Sequence, residues 1–250
     1  MATNPIALQM YTLREEAQKD FKGTLRAVAE LGYGAVELAG MGGLSAAELR
    51  AELDALGLKV SGAHIGLDRL EGQLSEVIDE MKTLGGRYVV CPWLPPNRRP
   101  DGDGYRALAE LLSGIATQVQ QHGLQLAYHN HDFEFQRFGD TTGLHIMRDS
   151  SDPALKFELD AYWASYAGLD PIPLIGEFAG RIPLVHLKDM KAGSRVFAEV
   201  GHGTLDIPGL IAAAEANGAE WFIVEQDRCE RPALESVRMS LDYLRSIGKA

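Results

Sequence analysis

The sequence predicts an α/β fold: one domain, residues 1–250, closed as a single (β/α)8 TIM barrel. Three observations lead there. Short apolar, strand-like runs alternate eight times with longer amphipathic segments, and no shift in composition divides the 250 residues. Most of the amphipathic segments end on a glycine just before the next apolar run. Alternation of this kind implies a parallel sheet with helical crossovers, and eight repeats in this length favour closure over an open sheet.

The elements follow in order. A strand is expected over residues 6–10, then a helix over 21–31 stopped by Gly32. The second strand is 35–38, and the helix at 45–56 has Ser45 to cap it, Glu48 three residues on to complete a capping box, and Gly57 to end it. Strand 59–64 precedes a helix at 70–84, and strand 88–91 precedes a long helix at 105–122. The second half repeats the rhythm: strands 125–129, 155–159, 182–187 and 221–225 alternate with helices 143–149, 172–177, 208–217 and 233–247. Pro208 suits the first turn of its helix. The longest irregular stretches, 92–104 and 190–206, both follow strands, on the face where barrel enzymes carry their chemistry. Four prolines stiffen the first, whereas Gly193, Gly201 and Gly203 give the second the character of a lid.

Apolar residues make up 46% of the chain, enough for a core, and the net charge is −11. That acidity argues against nucleic-acid and membrane partners, while leaving room for a locally positive site. The two cysteines, Cys91 and Cys229, read as buried core thiols of a reducing compartment rather than a disulfide. Residues 1–5 carry no leader signature, and no run of 18 apolar residues occurs. The expectation is a cytoplasmic protein acting on a small molecule, with homo-oligomerisation open.

The strongest functional signal is positional. The last four strands end in "AYHNHDFEF", "KFELDAYW", "VHLKDM" and "FIVEQD". Strand side chains alternate, so His129 shares a face with His131, Glu158 with Asp160, His186 with Lys188, and Glu225 with Asp227. A lone histidine or carboxylate at a strand end is ordinarily a rim residue or a helix cap. Four successive strand ends that each offer one are a mixed nitrogen and oxygen set for a divalent ion: Mn, Co, Zn, Fe or Mg. Their tips should then lie within about 6 Å of one another, since ligand bonds are near 2 Å. Weaker candidates are His64, Glu37, Gln9 and Tyr11 at the ends of the first three strands, and Trp93, whose ring suits stacking on a sugar. "GHGTLD" (201–206) is a glycine-rich stretch before a helix: either an amide cradle for an anion or a turn in which Asp206 caps that helix.

These motifs, together with "IALQMYTLR" on the first strand, resemble the xylose isomerase-like barrels, and within them the sugar phosphate isomerase/epimerase group, over nearly the whole chain. The resemblance implies one divalent metal held by Glu, Asp, His and Glu from strands five to eight. Asp160, His186 and Glu225 match the last three positions; His129 stands where many relatives have Glu, with His131 as its rival for the fourth ligand. His202 likewise replaces a usual Glu in "GHGTLD". The implied activity is a metal-dependent isomerase or epimerase of a small sugar or keto-sugar, acting through a metal-stabilised enediolate. Glu225 is then the principal acid/base group, Lys188 and His131 further catalytic candidates, and His64, Trp93 and Glu158 substrate contacts. Two alternatives stay open: a lyase or dehydratase acting on a keto-sugar or keto-inositol, and a non-catalytic sugar-binding barrel. A DNA-repair endonuclease on the same barrel is disfavoured by the charge and by only 7 histidines.

Overall fold

The structure is a computed structural model that describes residues 5–250; residues 1–4, on which the leader expectation partly rests, lie outside the described residues. Eight parallel strands close into a barrel: β1 (Ile6–Gln9), β2 (Ala35–Leu38), β3 (Lys59–His64), β4 (Tyr88–Cys91), β5 (Gln125–His129), β6 (Lys156–Asp160), β7 (Leu184–Leu187) and β8 (Trp221–Val224). Each pairs with its sequence neighbours, and β1 pairs with β8 to close the ring. The outer helices are α1 (Phe21–Leu31), α2 (Ala46–Leu56), α3 (Leu74–Leu84), α4 (Gly102–Gln120), α5 (Gly143–Ser150), α6 (Pro171–Glu177), α7 (Ile207–Ala216) and α8 (Ala233–Ser246). The capping box forms as expected, with the Ser45 hydroxyl and the Glu48 carboxylate each accepting the other residue's backbone N–H.

Several boundaries differ from expectation for local reasons. The helix expected over 70–84 is two, Leu67–Gly72 and α3, which meet at Gln73, whose backbone (φ −138°, ψ 32°) leaves the helical region. The long helix begins earlier, at Gly102, because the Asp101 carboxylate caps the amide of Gly104. The sixth strand runs one residue further, to Asp160, whose carboxylate caps a short helix (Ala161–Tyr166) that the sequence reading lacked. Cys91 is buried as expected, but Cys229 is half-buried in the loop after β8, and neither is paired.

The stretch expected as a lid is a pinned ribbon. Asp189–Met190 pairs antiparallel with Phe197–Ala198, and the amides of Gly201, Gly203 and Leu205 donate to the Asp189 carboxylate at 3.0, 2.9 and 3.0 Å. The amide cradle of "GHGTLD" therefore does hold an anion, but it is the chain's own. A Cβ at Gly203 would overlap that carboxylate and the Met190 carbonyl, so only glycine closes the turn. Asp206 caps α7 through the amide of Gly209, the other reading of the motif.

Strand alternation separates two cores. Ile6, Leu8, Val36, Val89, Leu126, Val185 and Phe222 face the helices and join the large outer core. Ala7, Ala35, Tyr88, Val90, Ala127, Leu184 and Ile223 face inward and plug the barrel. The plug is three alanines, three branched aliphatic residues and one large buried ring, Tyr88, and it is the floor on which the polar layer stands.

Candidate active site

One step of the strand period above the plug, two residues further along, the inward positions turn polar. Ala7 leads to Gln9, Ala35 to Glu37, Gly62 to His64, Ala127 to His129, Leu184 to His186 and Ile223 to Glu225. Gly62 leaves the space that Tyr88 and the Glu37 carboxylate fill; a Cβ there would stand 3.0 Å from the Tyr88 carbonyl and 3.2 Å from Glu37 Oε1. Strand register then aligns the layer: His129 lies opposite Glu158, and Asp160 opposite His186.

The side chains interlock. His186 is held on both ring nitrogens, Nδ1 to Glu225 Oε2 at 2.7 Å and Nε2 to Glu37 Oε2 at 2.8 Å. Gln9 Nε2 donates to the same Glu37 oxygen at 2.7 Å, and His64 Nε2 lies 3.1 Å from it. Glu158 Oε2 binds His64 Nε2 and His129 Nδ1, both at 2.9 Å. Lys188 sits among three carboxylates, with Nζ 2.9 Å from Asp160 Oδ2, 2.7 Å from Glu225 Oε2 and 2.8 Å from Asp227 Oδ1.

This much charge under protein atoms sets the protonation of every member. Burial opposes the charge on Lys188, but Asp160, Asp227 and Glu225 outweigh it and keep the ammonium protonated well beyond the usual lysine range. Burial likewise opposes the imidazolium of His186, and Glu158 and Glu37 overcome it. His64 is driven up to about 10 against burial, by the charge of Glu37 and the hydrogen bond to Glu158. Burial and neighbouring positive groups hold His129 neutral, its pKa well below the usual value, and push His131 down to about 3. Burial raises Asp160 to about 6, and burial with the charge of Glu37 raises Glu158. Glu37 and Glu225 stay ionised despite burial, Glu37 because of His64 and His186, Glu225 because of Lys188 and His186.

A cavity of about 1160 Å³ opens above this layer, with His64, His129, His131, Lys188, Glu225 and Asp227 at its base. Trp93 is on its wall, 42% exposed. Of the residues singled out in the sequence, Glu158, Glu37 and Gln9 neither line the cavity nor join the four expected ligands. Glu158 is wholly buried behind His64 and His129, so the substrate contact expected of it gives way to positioning those two rings. Glu37, a weaker candidate in the sequence, is buried and joins β1, β2, β3 and β7 at one oxygen. Asp227 was paired with Glu225 by strand alternation but given no role, and the aromatic residues of the Ala161–Tyr166 helix were not singled out. The "LDAYW" run carried the signal for that helix, since Asp160 is both a strand end and a helix cap.

His129, Asp160, His186 and Glu225 each offer a ligand atom, and these lie within 4.8 Å of one another. His131 is not in that group; its ring packs between Phe133 and Trp163, and its Nδ1 is buried without a partner among the described residues. Bonds near 2.0–2.2 Å place opposite ligand atoms about 4.4 Å apart, so the group closes on an ion with small adjustments. Asp160 Oδ2 is buried without a hydrogen bond and meets only the Lys188 ammonium as an ion pair and, at 3.7 Å, His129 Nε2. Such an oxygen, beside two imidazoles and a second carboxylate, suits a borderline divalent cation. A second group, His64, His129, Glu158 and His186, shares two of the rings but has one carboxylate, whose Oε2 is already met by all three of its histidines.

Comparison with known proteins places this geometry in context. The profile of a family described as xylose isomerase-like TIM barrel matches residues 25–247. The chain is similar to the inosose dehydratase of Geobacillus kaustophilus, 27% identical over 266 residues that cover 88% of this chain and 85% of that one. Among solved structures, a sugar phosphate isomerase/epimerase from Parabacteroides distasonis superposes with a TM-score of 0.83 at 24% identity, covering 98% of this chain and 95% of that one. An IolI protein with a bound zinc atom superposes with a TM-score of 0.75 at 15% identity, covering 98% of both chains. No helix among the described residues is long and apolar enough to cross a membrane.

Proposed function

We propose that this chain, which belongs to the family of xylose isomerase-like TIM barrels, is a metal-dependent lyase that removes water from a keto-sugar or keto-inositol. The observation that carries this reading is the likeness to an inosose dehydratase over 88% of the chain. It favours the dehydratase, carried by the sequence as the alternative, over the isomerase or epimerase that the sequence put first.

His129, Asp160, His186 and Glu225 would hold the divalent ion. Bound there, the ion would polarise the substrate carbonyl and stabilise the negative charge that develops when the neighbouring carbon loses its proton. The chain's own groups then divide the proton work. Glu225 is ionised and lines the cavity, so its carboxylate accepts the proton from carbon. Lys188 is charged and lines the same cavity, so its ammonium donates to the departing hydroxyl, which leaves as water. The 2.7 Å contact between Glu225 Oε2 and Lys188 Nζ is the route by which the captured proton returns to the lysine and resets the pair. His131, neutral and at the cavity base, serves as a hydrogen-bond partner for a substrate hydroxyl and the reserve base. His64 and Trp93 stand where they would touch the substrate.

The test is a ¹H NMR assay of the metal-loaded protein with 2-keto-myo-inositol in D₂O, with bound metal measured on the same sample. Loss of water to an unsaturated or diketo product is expected. Deuterium uptake at carbon with the hydroxyl count unchanged would replace the lyase by an isomerase or epimerase. Neither change, with metal bound, would leave a sugar-binding barrel.

A further inference from the structure

Lys188 stands against two of the four residues that would hold an ion, and its three contacts are not alike. Only the one to Asp227 Oδ1, at 2.8 Å, has hydrogen-bond geometry. Those to Asp160 Oδ2 and Glu225 Oε2, at 2.9 and 2.7 Å, are ion pairs alone. Glu225 meets both His186 and Lys188 through Oε2, which leaves Oε1 for an ion. Asp160 has no such reserve. Its Oδ1 accepts the Trp163 amide at 2.8 Å to cap the short helix, and Oδ2 is the oxygen on the side of His129, 3.7 Å from Nε2. His129 Nδ1 is taken by Glu158, so Nε2 is the nitrogen that ring has to offer. The oxygen that Asp160 can give a metal is thus the one on which the ammonium sits.

Two cations on one buried oxygen repel. Bonds of roughly 2.0–2.2 Å would bring an ion nearer to Oδ2 than the ammonium stands, and burial removes the solvent that would screen like charges. The oxygen cannot retreat, because Asp160 is wholly buried, its amide donates to the Asn130 side chain at 3.0 Å and its other oxygen is held by the cap. The backbone of Lys188 is fixed as well, between β7 and Asp189, whose carboxylate takes three amides of the ribbon. The four-carbon stem of a lysine is flexible, so Nζ is the part that yields. Asp227 marks the direction. Of the three carboxylates around Nζ it alone lies outside the ion's group, its side chain reaches the cavity, and its backbone carbonyl is anchored by Arg14 Nη2 at 2.9 Å.

We infer that the Lys188 ammonium and the divalent ion exchange at Asp160 Oδ2, and that Asp227 is the positioning residue that takes the ammonium when the ion binds. The inference rests on reading His129, Asp160, His186 and Glu225 as the metal group, and it deepens that reading. Drawn off Asp160, Nζ settles between Asp227 and Glu225 on the cavity side, where the acid of the proposed reaction is needed. Asp227 touches neither the ion nor a reacting atom; it acts through Lys188.

Calorimetric titration of the metal-stripped chain with Zn²⁺ tests this without turnover. Lys188→Met keeps the stem and removes the charge, and should bind Zn²⁺ at least about tenfold tighter than the parent. Asp227→Asn should bind it at least about tenfold more weakly, because the displaced ammonium is left with no carboxylate but those of the metal group. In the Lys188→Met background the same change at Asp227 should cost several-fold less. Lys188→Gln, which keeps a donor for Asp227, takes the place of Lys188→Met if that variant does not fold. Affinity no tighter without the lysine charge, or an equal loss from Asp227→Asn in both backgrounds, would overturn the exchange and leave the metal group and the lyase standing. A parent chain that binds no Zn²⁺ would overturn the metal group and the exchange with it.

Discussion

The two sides of the barrel mouth are built to different plans. Strands β5 to β8 present His129, Asp160, His186, Lys188 and Glu225, the groups that would touch an ion or a substrate. Strands β1 to β3 present Gln9, Glu37 and His64, which meet at one Glu37 oxygen that also holds His186, although the His64 ring reaches the cavity as well. Strand β4 offers neither: above Val90 come Pro92 and Trp93, and the wall turns aromatic there. The difference teaches that a buried charged site needs a holding side as well as a working side. Metal-ligating histidines commonly donate their second ring N–H to a carboxylate, and losing that carboxylate typically costs 10–100-fold in affinity or activity. Glu37 is placed for that role on His186 Nε2, which leaves Nδ1 on the Glu225 side.

Substitutions on the working side should have the largest effects. Asp160→Ala or His186→Ala should abolish stoichiometric metal binding and, with it, turnover. Retention of a full equivalent of metal in Asp160→Ala but not in His186→Ala, by elemental analysis, would move the centre to the group of His64, His129, Glu158 and His186; retention in His186→Ala would overturn both groups. Glu225→Gln should lower the rate by at least about two orders of magnitude, the usual scale for an acid–base group, while metal affinity falls less than in Asp160→Ala. Near-normal turnover would shift the base to His131. Loss of all metal together with turnover would leave Glu225 a ligand only.

A holding-side substitution should be milder and of a different kind. Glu37→Gln keeps the shape but removes the charge that His64 and His186 face. Metal affinity should fall about 10–100-fold, and saturating metal should restore much of the rate. A rate that stays down by two orders of magnitude at saturating metal would place Glu37 on the working side and erase the distinction between the two halves.

The distinction also decides what could be read in advance. The working side was legible because its residues stand at the ends of consecutive strands, in short motifs where alternation assigns a face. The eight strands were legible for the related reason that glycine closes many of the preceding helices: Gly32, Gly57 and Gly85 take left-handed backbone at helix ends. The holding side was not legible. "AVEL" says nothing of a bond from Glu37 to a histidine 149 residues away, because only closure of the barrel brings β2 and β7 together across its axis. The short helix after β6 was missed for want of length, since six residues carry no readable period. The Asp189 carboxylate escaped notice because its partners are backbone amides, which have no sequence signature.

The smallest expected effect on activity comes from a buried acid that belongs to neither side and acts on stability instead. Glu134 follows β5, fully buried beneath His131, where it accepts a hydrogen bond from the Tyr128 hydroxyl at 2.6 Å and from the His131 amide at 2.8 Å. Those bonds favour the carboxylate, but burial with no cation against it wins and lifts the group to about 7. With the folded value raised above the ordinary 4.5, the folded chain holds this proton more tightly than the unfolded chain does. The associated stability is fully present below about pH 4.5, declines as pH rises toward 7, and is gone above it; it amounts to roughly 3 kcal/mol. Glu134→Gln removes the titration and can keep both contacts, its carbonyl accepting from the His131 amide and its amide donating to Tyr128. The variant should therefore be less stable relative to the parent at pH 5 than at pH 8. Urea unfolding of both proteins at the two pH values measures the difference, in which all other titrating groups cancel. An equal offset at pH 5 and pH 8 would show that Glu134 is ionised in the fold, and that buried acids here need no cluster of cations to carry their charge.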